Sequence, residues 1–347
     1  MSAHTEDVAL ETLFLPFTEG QLAWPDDGVL FLRARDGSPL HQQAWPGLIC
    51  EQSFKPQAAA LQRAGFKLNV NEVEPKSYST VLVLPPRQRA EARALLARAL
   101  ASTKPGGRVI AAMSNNEGAR SGEADLAQLA GPVSTLSKNK CRVFWTAPLQ
   151  DAVDMGLATQ WQALDEVRQI SDARFVSRPG VFAWDRIDAA SALLAAHLPK
   201  ELRGRAADLG AGFGYLSVEL LTRCPGIKQL DLYEAEQRAL DLARRNLASF
   251  ESRVTLEYQW HDVTAGLPHA YDVIVSNPPF HTQSSTDRPD IGRRFITVAA
   301  AALKSGGRLW LVANRHLPYE IVLNESFGKV RMVAQQHGFK IIEAVRK

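Results

Sequence analysis

The chain has 347 residues, 46 % of them hydrophobic, with a formal net charge of +3. That length and apolar content predict two ordinary domains and exclude both a disordered chain and a strongly basic polyanion coat. Cys50, Cys141 and Cys224 lie far apart, which excludes a disulfide framework and a zinc site, and no apolar run reaches the ~18 residues of a membrane span.

The N-terminus (MSAHTEDVALE) is acidic and lacks the basic and apolar segments of a secretory signal. With no cysteine pairing, a cytoplasmic protein is expected, free of metal and membrane. Residues 1–75 carry 5 Lys/Arg against 10 Asp/Glu, whereas residues 76–142 carry 11 against 4. Arg87, Arg89, Arg93 and Arg98 fall within twelve residues of a helical stretch, offset by Glu91. Such clustering is expected to contact phosphates, although each arginine taken singly also fits a solvated helix face.

Strand and helix patterns then recur in the same order in the two halves. CEQSFKPQAAALQRAGF (50–66) resembles YEAEQRALDLARRNLAS (233–249), an acidic strand end followed by a helix. YSTVLVLPPR (78–87) matches YDVIVSNPPF (271–280), an apolar strand entered by Tyr and closed by Pro-Pro. LASTKPGGRVIAAM (100–113) matches ALKSGGRLWLVAN (302–314), and GPVSTLSKNKCRVFWTA (131–147) matches FGKVRMVAQQHGFKIIEA (327–344). The order predicts a duplicated α/β unit, with domains at 1–165 and 166–347. Trp145, Trp161 and Trp310 sit in apolar contexts and are expected in the cores.

The halves differ where chemistry would sit. ADLGAGFGYLSVEL (207–220) reads as strand, glycine turn and helix, with Asp208, Gly210, Gly212 and Gly214 spaced D-x-G-x-G-x-G. A dinucleotide fingerprint needs its third glycine at position 215, which is Tyr215. The bare turn can approach a ligand closely, and Asp208 can hold a cationic amino group. S-adenosylmethionine (SAM) offers such groups, though the turn alone also fits NAD or a structural bend. Glu234, ending QLDLYE, is placed for ribose hydroxyls, and Asp262, in WHDV, for an adenine amine. In VIVSNPPFHT (273–282), two prolines without N–H groups must stop the strand. Asn277, Pro278, Pro279 and Phe280 therefore stand at its C-terminal end, where open α/β sheets bind ligands. In the first half LFLRARDGSPL (30–40) replaces the turn, placing Arg33, Arg35 and Asp36 where glycines are needed. Leu84 and Arg87 replace Asn277 and Phe280, so that copy is expected to be catalytically silent.

Residues 175–347 resemble a class I SAM-dependent methyltransferase of the N-P-P-F/Y amino-methylating group. The whole chain resembles the RsmC-type family of bacterial 16S ribosomal RNA guanine-N2 methyltransferases. The stretches that carry this are RPGVFAWDRIDAASALL (178–194), DLGAGFGYLSVEL, SNPPFH and GGRLWLVANRHLPYE. The chain departs from the family at Ala189-Ala190, where Gly usually precedes the Ser. The resemblance implies two tandem Rossmann-like methyltransferase domains, the first degenerate and available for RNA binding or support. It further implies SAM as cofactor and the 30S subunit as partner of a monomer, with Asn277 and the Pro278 carbonyl accepting from a guanine amine and Phe280 stacking on the base. Phe182 is expected at the cofactor, and Arg178 and His281 at the substrate. Competing readings are the same reaction on 23S rRNA, methylation of DNA adenine or protein glutamine, and an RNA-binding scaffold with a vestigial pocket.

Overall fold

The structure, a computed structural model, describes residues 7–69, 75–150, 153–279 and 289–347. The chain divides into two compact units, Met1–Glu166 and Val167–Lys347. In the first, α1 (Val8–Thr18), β1 (Val29–Leu32), α2 (Ser38–His41), β2 (Leu48–Glu51), α3 (Lys55–Arg63) and β3 (Tyr78–Val83) are followed by α4 (Arg89–Ser102), β4 (Thr103–Ser114), α5 (Ala119–Ala130), β5 (Val133–Lys138), β6 (Cys141–Thr146) and α6 (Met155–Gln162). The strands form a six-stranded sheet ordered β2-β1-β3-β4-β6-β5, parallel from β2 to β4, with β6 antiparallel to both neighbours.

The second unit opens with a two-stranded ribbon, β7 (Arg168–Ile170) and β8 (Phe175–Ser177). It continues through α7 (Ala189–His197), β9 (Arg203–Leu209), α8 (Tyr215–Arg223), β10 (Gly226–Glu234), α9 (Gln237–Leu247), β11 (Thr255–Trp260) and β12 (Tyr271–Ser276) to α10 (Pro289–Ala302), β13 (Leu303–Asn314), α11 (Glu320–Ser326), β14 (Lys329–Gln336) and β15 (Phe339–Val345). Its seven-stranded sheet is ordered β11-β10-β9-β12-β13-β15-β14, with β15 antiparallel. The central strands are near-continuous apolar runs because helices cover both faces. One core joins α7, α8 and α9 to the sheet through Leu194, Leu220, Leu240 and Leu247; the other joins α10 and α11 through Ile296, Ala299 and Leu323. In α9 the buried Ala239, Leu240, Ala243 and Leu247 recur at helical spacing. The strand order reverses between β9 and β12, which opens a crevice beyond their C-terminal ends.

The two sheets share one pairing register. β3 meets β4 at Tyr78–Thr103 and Thr80–Arg108, and β12 meets β13 at Tyr271–Leu303 and Val273–Arg308, each with its irregularity at the same step. Leu32 pairs with Val83 as Leu209 pairs with Ser276. Phe31, Arg33, Arg35 and Gly37 therefore hold the places of Asp208, Gly210, Gly212 and Gly214. The expectation for Asp36 is corrected: it matches Phe213, and Gly37 keeps the third glycine. Leu32 pairs with Glu51, and Leu209 with Tyr233. Glu234 is thus matched by Gln52, one residue beyond the acidic strand end read from sequence. α1 packs on β4 and β6 as α7 packs on β13 and β15. Where β11 would lie, the described residues of the first unit hold one parallel bridge, Cys50–Leu68. Trp145, Trp161 and Trp310 are all buried, and among the described residues no helix is long and apolar enough to cross a membrane.

Candidate functional site

The glycine turn links β9 to α8, with Gly210 N and Ala211 N both donating to the Tyr233 carbonyl (2.9 and 3.1 Å). Gly210, Gly212 and Gly214 all have positive φ (75°, 56° and 89°), a region other residues seldom adopt. At Gly214 a Cβ would lie 2.6 Å from Leu247 Cδ1, so a bare backbone lets α9 lie against the turn. At Gly212 a Cβ would meet nothing within 4 Å. One side of the turn is closed by packing, and the other meets none of the described residues.

Three acids stand at successive strand ends. Asp208 is fully buried; its Oδ2 accepts from Ser217 Oγ (2.7 Å), while Oδ1 has no hydrogen-bond partner among the described residues. Burial pushes its carboxyl up to about 7 against the Ser217 bond, and nearby Glu234 adds to the rise. Glu234 accepts from Gly212 N (2.7 Å) and Glu236 N (2.8 Å), yet burial still raises its pKa. Asp262 Oδ1 accepts from Thr264 N and Oγ1 (2.9 and 2.6 Å), which turns the chain after β11. A buried carboxylate oxygen without a partner among the described residues, a second carboxyl raised by desolvation and an open glycine face fit a cationic ligand that carries hydroxyls. These are the groups of SAM, and Asp208, Glu234 and the glycine turn would hold it.

β12 delivers Asn277 to the same crevice. The Asn277 carbonyl lies 4.0 Å from where a Gly210 Cβ would be, so the two motifs abut. Its side-chain Nδ2 donates to Asp188 Oδ2 (3.0 Å) and Ser191 Oγ (2.9 Å). Asp188 is also the N-cap of α7, accepting from Ser191 N at 2.8 Å. With both amide protons engaged, Oδ1 is the remaining polar group of the side chain. Pro278 is buried and Pro279 exposed. Phe280 and His281 lie outside the described residues.

On the other side of the turn, Asn246 of α9 accepts from Val176 N (2.8 Å) and donates to the Val176 and Phe213 carbonyls (3.0 and 2.8 Å). It ties β8 to the glycine turn and so anchors the segment that follows β8. Arg178 is half-buried there, and Phe182 is 62 % exposed. Phe182 is not part of the packed wall.

Asp188, Ser191 and Asn246 were not singled out from sequence. Asp before an apolar run is a helix-start signal that marks Asp188 as a cap. Nothing local ties it to an asparagine 89 residues away.

The matching place in the first unit is filled by its own side chains. Arg33 keeps the left-handed backbone (φ 53°) of Gly210, and its Nη1 donates to the Leu84 carbonyl at 3.0 Å. Arg35 pairs with Asp7, the N-cap of α1, at 2.9 Å. Gln52 Oε1 accepts from Phe54 N (2.9 Å), as Glu234 accepts from Glu236 N, but its Nε2 donates to the Ala34 carbonyl (2.7 Å). Phe31 is fully buried.

The basic stretch is largely engaged within this unit, against the expectation of free phosphate contacts. Arg89 and Arg93 both fork onto Asp125 of α5, and Arg93 also lies 4.6 Å over the Trp161 ring. Arg98 forks onto Glu51. Burial alone would raise the Asp125 pKa, but the two arginines outweigh it and hold the carboxyl below its usual value. Arg87 is exposed, with no ion-pair partner among the described residues.

Residues 172–343 match the family described as "Methyltransferase small domain". The chain is similar to the ribosomal RNA small subunit methyltransferase C of Salmonella paratyphi A, 30 % identical over 343 residues, covering 96 % of this chain and 97 % of the relative. The protein of the same name from Citrobacter koseri is 31 % identical over 284 residues, 82 % of this chain and 80 % of the relative. A solved structure titled as the Thermus thermophilus 16S rRNA N2 G1207 methyltransferase, in complex with AdoMet and guanosine, matches with a TM-score of 0.80 at 24 % identity. That match covers 99 % of this chain and 93 % of the other, so the likeness in fold spans both units.

Proposed function

The chain belongs to the ribosomal RNA small subunit methyltransferase C family, and on that premise we propose that it methylates the exocyclic N2 amine of a guanine in 16S rRNA, with SAM as donor. SAM, when bound, supplies a methyl group on a positively charged sulfur. The observation that carries this reading is the fixed orientation of Asn277. Its nitrogen is engaged by Asp188 and Ser191, so Oδ1 is the side chain's acceptor in the crevice.

A guanine amine is a poor nucleophile because its lone pair is conjugated with the ring. Asn277 Oδ1 and the Pro278 carbonyl accept the two N–H bonds and turn the lone pair out of conjugation. Pro278 and Pro279 bring no N–H to compete for these acceptors. The rate gain is one of orientation and of acceptors aimed where positive charge develops, so no strong base is required before transfer. Asp208 holds the amino group of the donor, Glu234 its ribose hydroxyls and Asp262 the adenine amine. The first unit takes no SAM and serves as support and RNA contact. The chain acts as a cytoplasmic monomer.

Label transfer from tritiated SAM to 30S subunits, 50S subunits, duplex DNA and protein tests the reading. Label is expected in 30S RNA as N2-methylguanine. Label confined to 50S RNA, DNA or protein would move the substrate to one of those classes, and label nowhere would remove the enzymatic reading.

A further inference from the structure

Asn277 can serve as an acceptor only if its amide faces the right way, because the flipped rotamer would present a donor to an amine that needs an acceptor. We propose that Ser191, together with the α7 cap Asp188, is a positioning residue that locks Asn277 in the acceptor orientation. This rests on the functional reading above.

The clamp is set by chemistry. Asp188 Oδ2 takes the Ser191 N–H at 2.8 Å and an Asn277 Nδ2 proton at 3.0 Å. Asp188 Oδ2 is the acceptor in both bonds, so the atom of Asn277 that faces it is the nitrogen. Ser191 Oγ takes the second Nδ2 proton at 2.9 Å. Ser191 is buried, and so are its α7 neighbours Ala190, Leu194 and Ala195. The clamp therefore sits on an element fixed by packing, which small-scale positioning requires.

The first unit separates clamp from cap. Asp7 there caps α1 by accepting from Leu10 N at 3.1 Å, as Asp188 accepts from Ser191 N. Leu10 holds the place of Ser191, and Leu84 that of Asn277. A copy without the amide to orient also lacks the hydroxyl, although it keeps the cap. The hydroxyl is thus dispensable for starting the helix and is found with the amide it holds.

Ser191→Ala in the full chain tests this, because it removes the hydroxyl and leaves Asp188 and the cap. Three readouts are needed: turnover on 30S subunits, SAM affinity by calorimetry, and hydrogen exchange of the Asn277 side-chain amide by NMR. Turnover is expected to fall about tenfold, as for a mispositioned reacting group, with substrate KM and SAM affinity unchanged and faster amide exchange. Ser191→Thr, which restores a hydroxyl, is expected to recover turnover. Wild-type turnover in Ser191→Ala would overturn the inference, as would a loss of SAM affinity parallel to the loss of rate, or unchanged amide exchange. If the wild-type chain labels no 30S RNA, the functional reading fails instead, and amide exchange still decides whether the clamp exists.

Discussion

The two halves of this chain fold on one register and do opposite things with the same space. At five matched positions the second half presents Asp208, Gly210, Gly212, Glu234 and Asn277, and the first presents Phe31, Arg33, Arg35, Gln52 and Leu84. What packing demands has been kept in both: the Pro-Pro strand end, the N-cap aspartate, and the glycine at which the turn enters a helix. What a ligand would demand survives in one half only. An active site of this type is therefore a few positions where the chain withholds its own side chains, and filling those positions leaves the fold intact.

The largest effect expected is at Asn277. Asn277→Ala should retain SAM binding and lose about 10²–10³ in turnover, because it removes an oriented acceptor that matters most in the transition state. Near wild-type labelling of 30S RNA by this variant would end the comparison, since the first half would then lack nothing essential at that position.

Next comes a dependence on pH that the first half cannot share, having Phe31 where the second has Asp208. The folded pKa of Asp208 is raised to about 7. Its contribution to the ligand-free fold is therefore fully present below its ordinary value of about 4 and lost as pH rises through 7. A cationic amine needs the ionised carboxylate, so binding releases a proton. SAM affinity is expected to rise roughly tenfold per pH unit up to about 7 and to level off above it. Calorimetry in buffers of different ionisation enthalpy reads the released proton, and flat affinity across that range would place the amino group elsewhere.

Glu234→Gln installs the residue of the first half. It loses a charge-assisted contact to the ribose, for which about 1.5–3 kcal/mol is usual, so SAM binding should weaken about tenfold or more with little change in fold. Unchanged affinity would shift the ribose away from β10.

The smallest effects separate support from RNA contact. Arg89→Gln with Arg93→Gln leaves Asp125, 3 % exposed, without its counter-ions. The first half should then melt earlier at neutral pH, while the salt dependence of rRNA binding is unchanged. In the wild-type chain the contribution of the lowered Asp125 pKa is present above the ordinary carboxylate value and lost as pH falls from there through the lowered one. Arg87→Gln and Arg293→Gln remove exposed arginines with no ion-pair partner among the described residues. Each should flatten the log–log salt slope by roughly 0.7–0.9 if it meets a phosphate. A flatter slope in the Arg89/Arg93 variant would return the whole basic stretch to the RNA.

The strand ends were legible because proline, glycine and acidic residues punctuate apolar runs, and the duplication because those marks recur in order. The partners were not. Arg89 and Arg93 share a helix face by their spacing, but the carboxylate they meet lies 36 and 32 residues on, in another helix. Whether an arginine faces solvent or a buried acid is a tertiary fact. Matching Glu51 to Glu234 by type also misplaced the strand end by one residue. Side chains alternate across a strand, so a single step decides which group enters the crevice.

Arg33 has a consequence for stability. Its guanidinium sits on the strand-end carbonyl of Leu84, joined to the turn by its own backbone, and behaves as a tethered ligand that never dissociates. A pocket loaded from solution gains stability only in proportion to how far the free ligand exceeds its dissociation constant. A tethered occupant acts at a fixed, high effective concentration. The first half thus holds at all times a stabilisation of the kind the second acquires only while loaded, and the chain keeps one half filled whatever the cofactor supply.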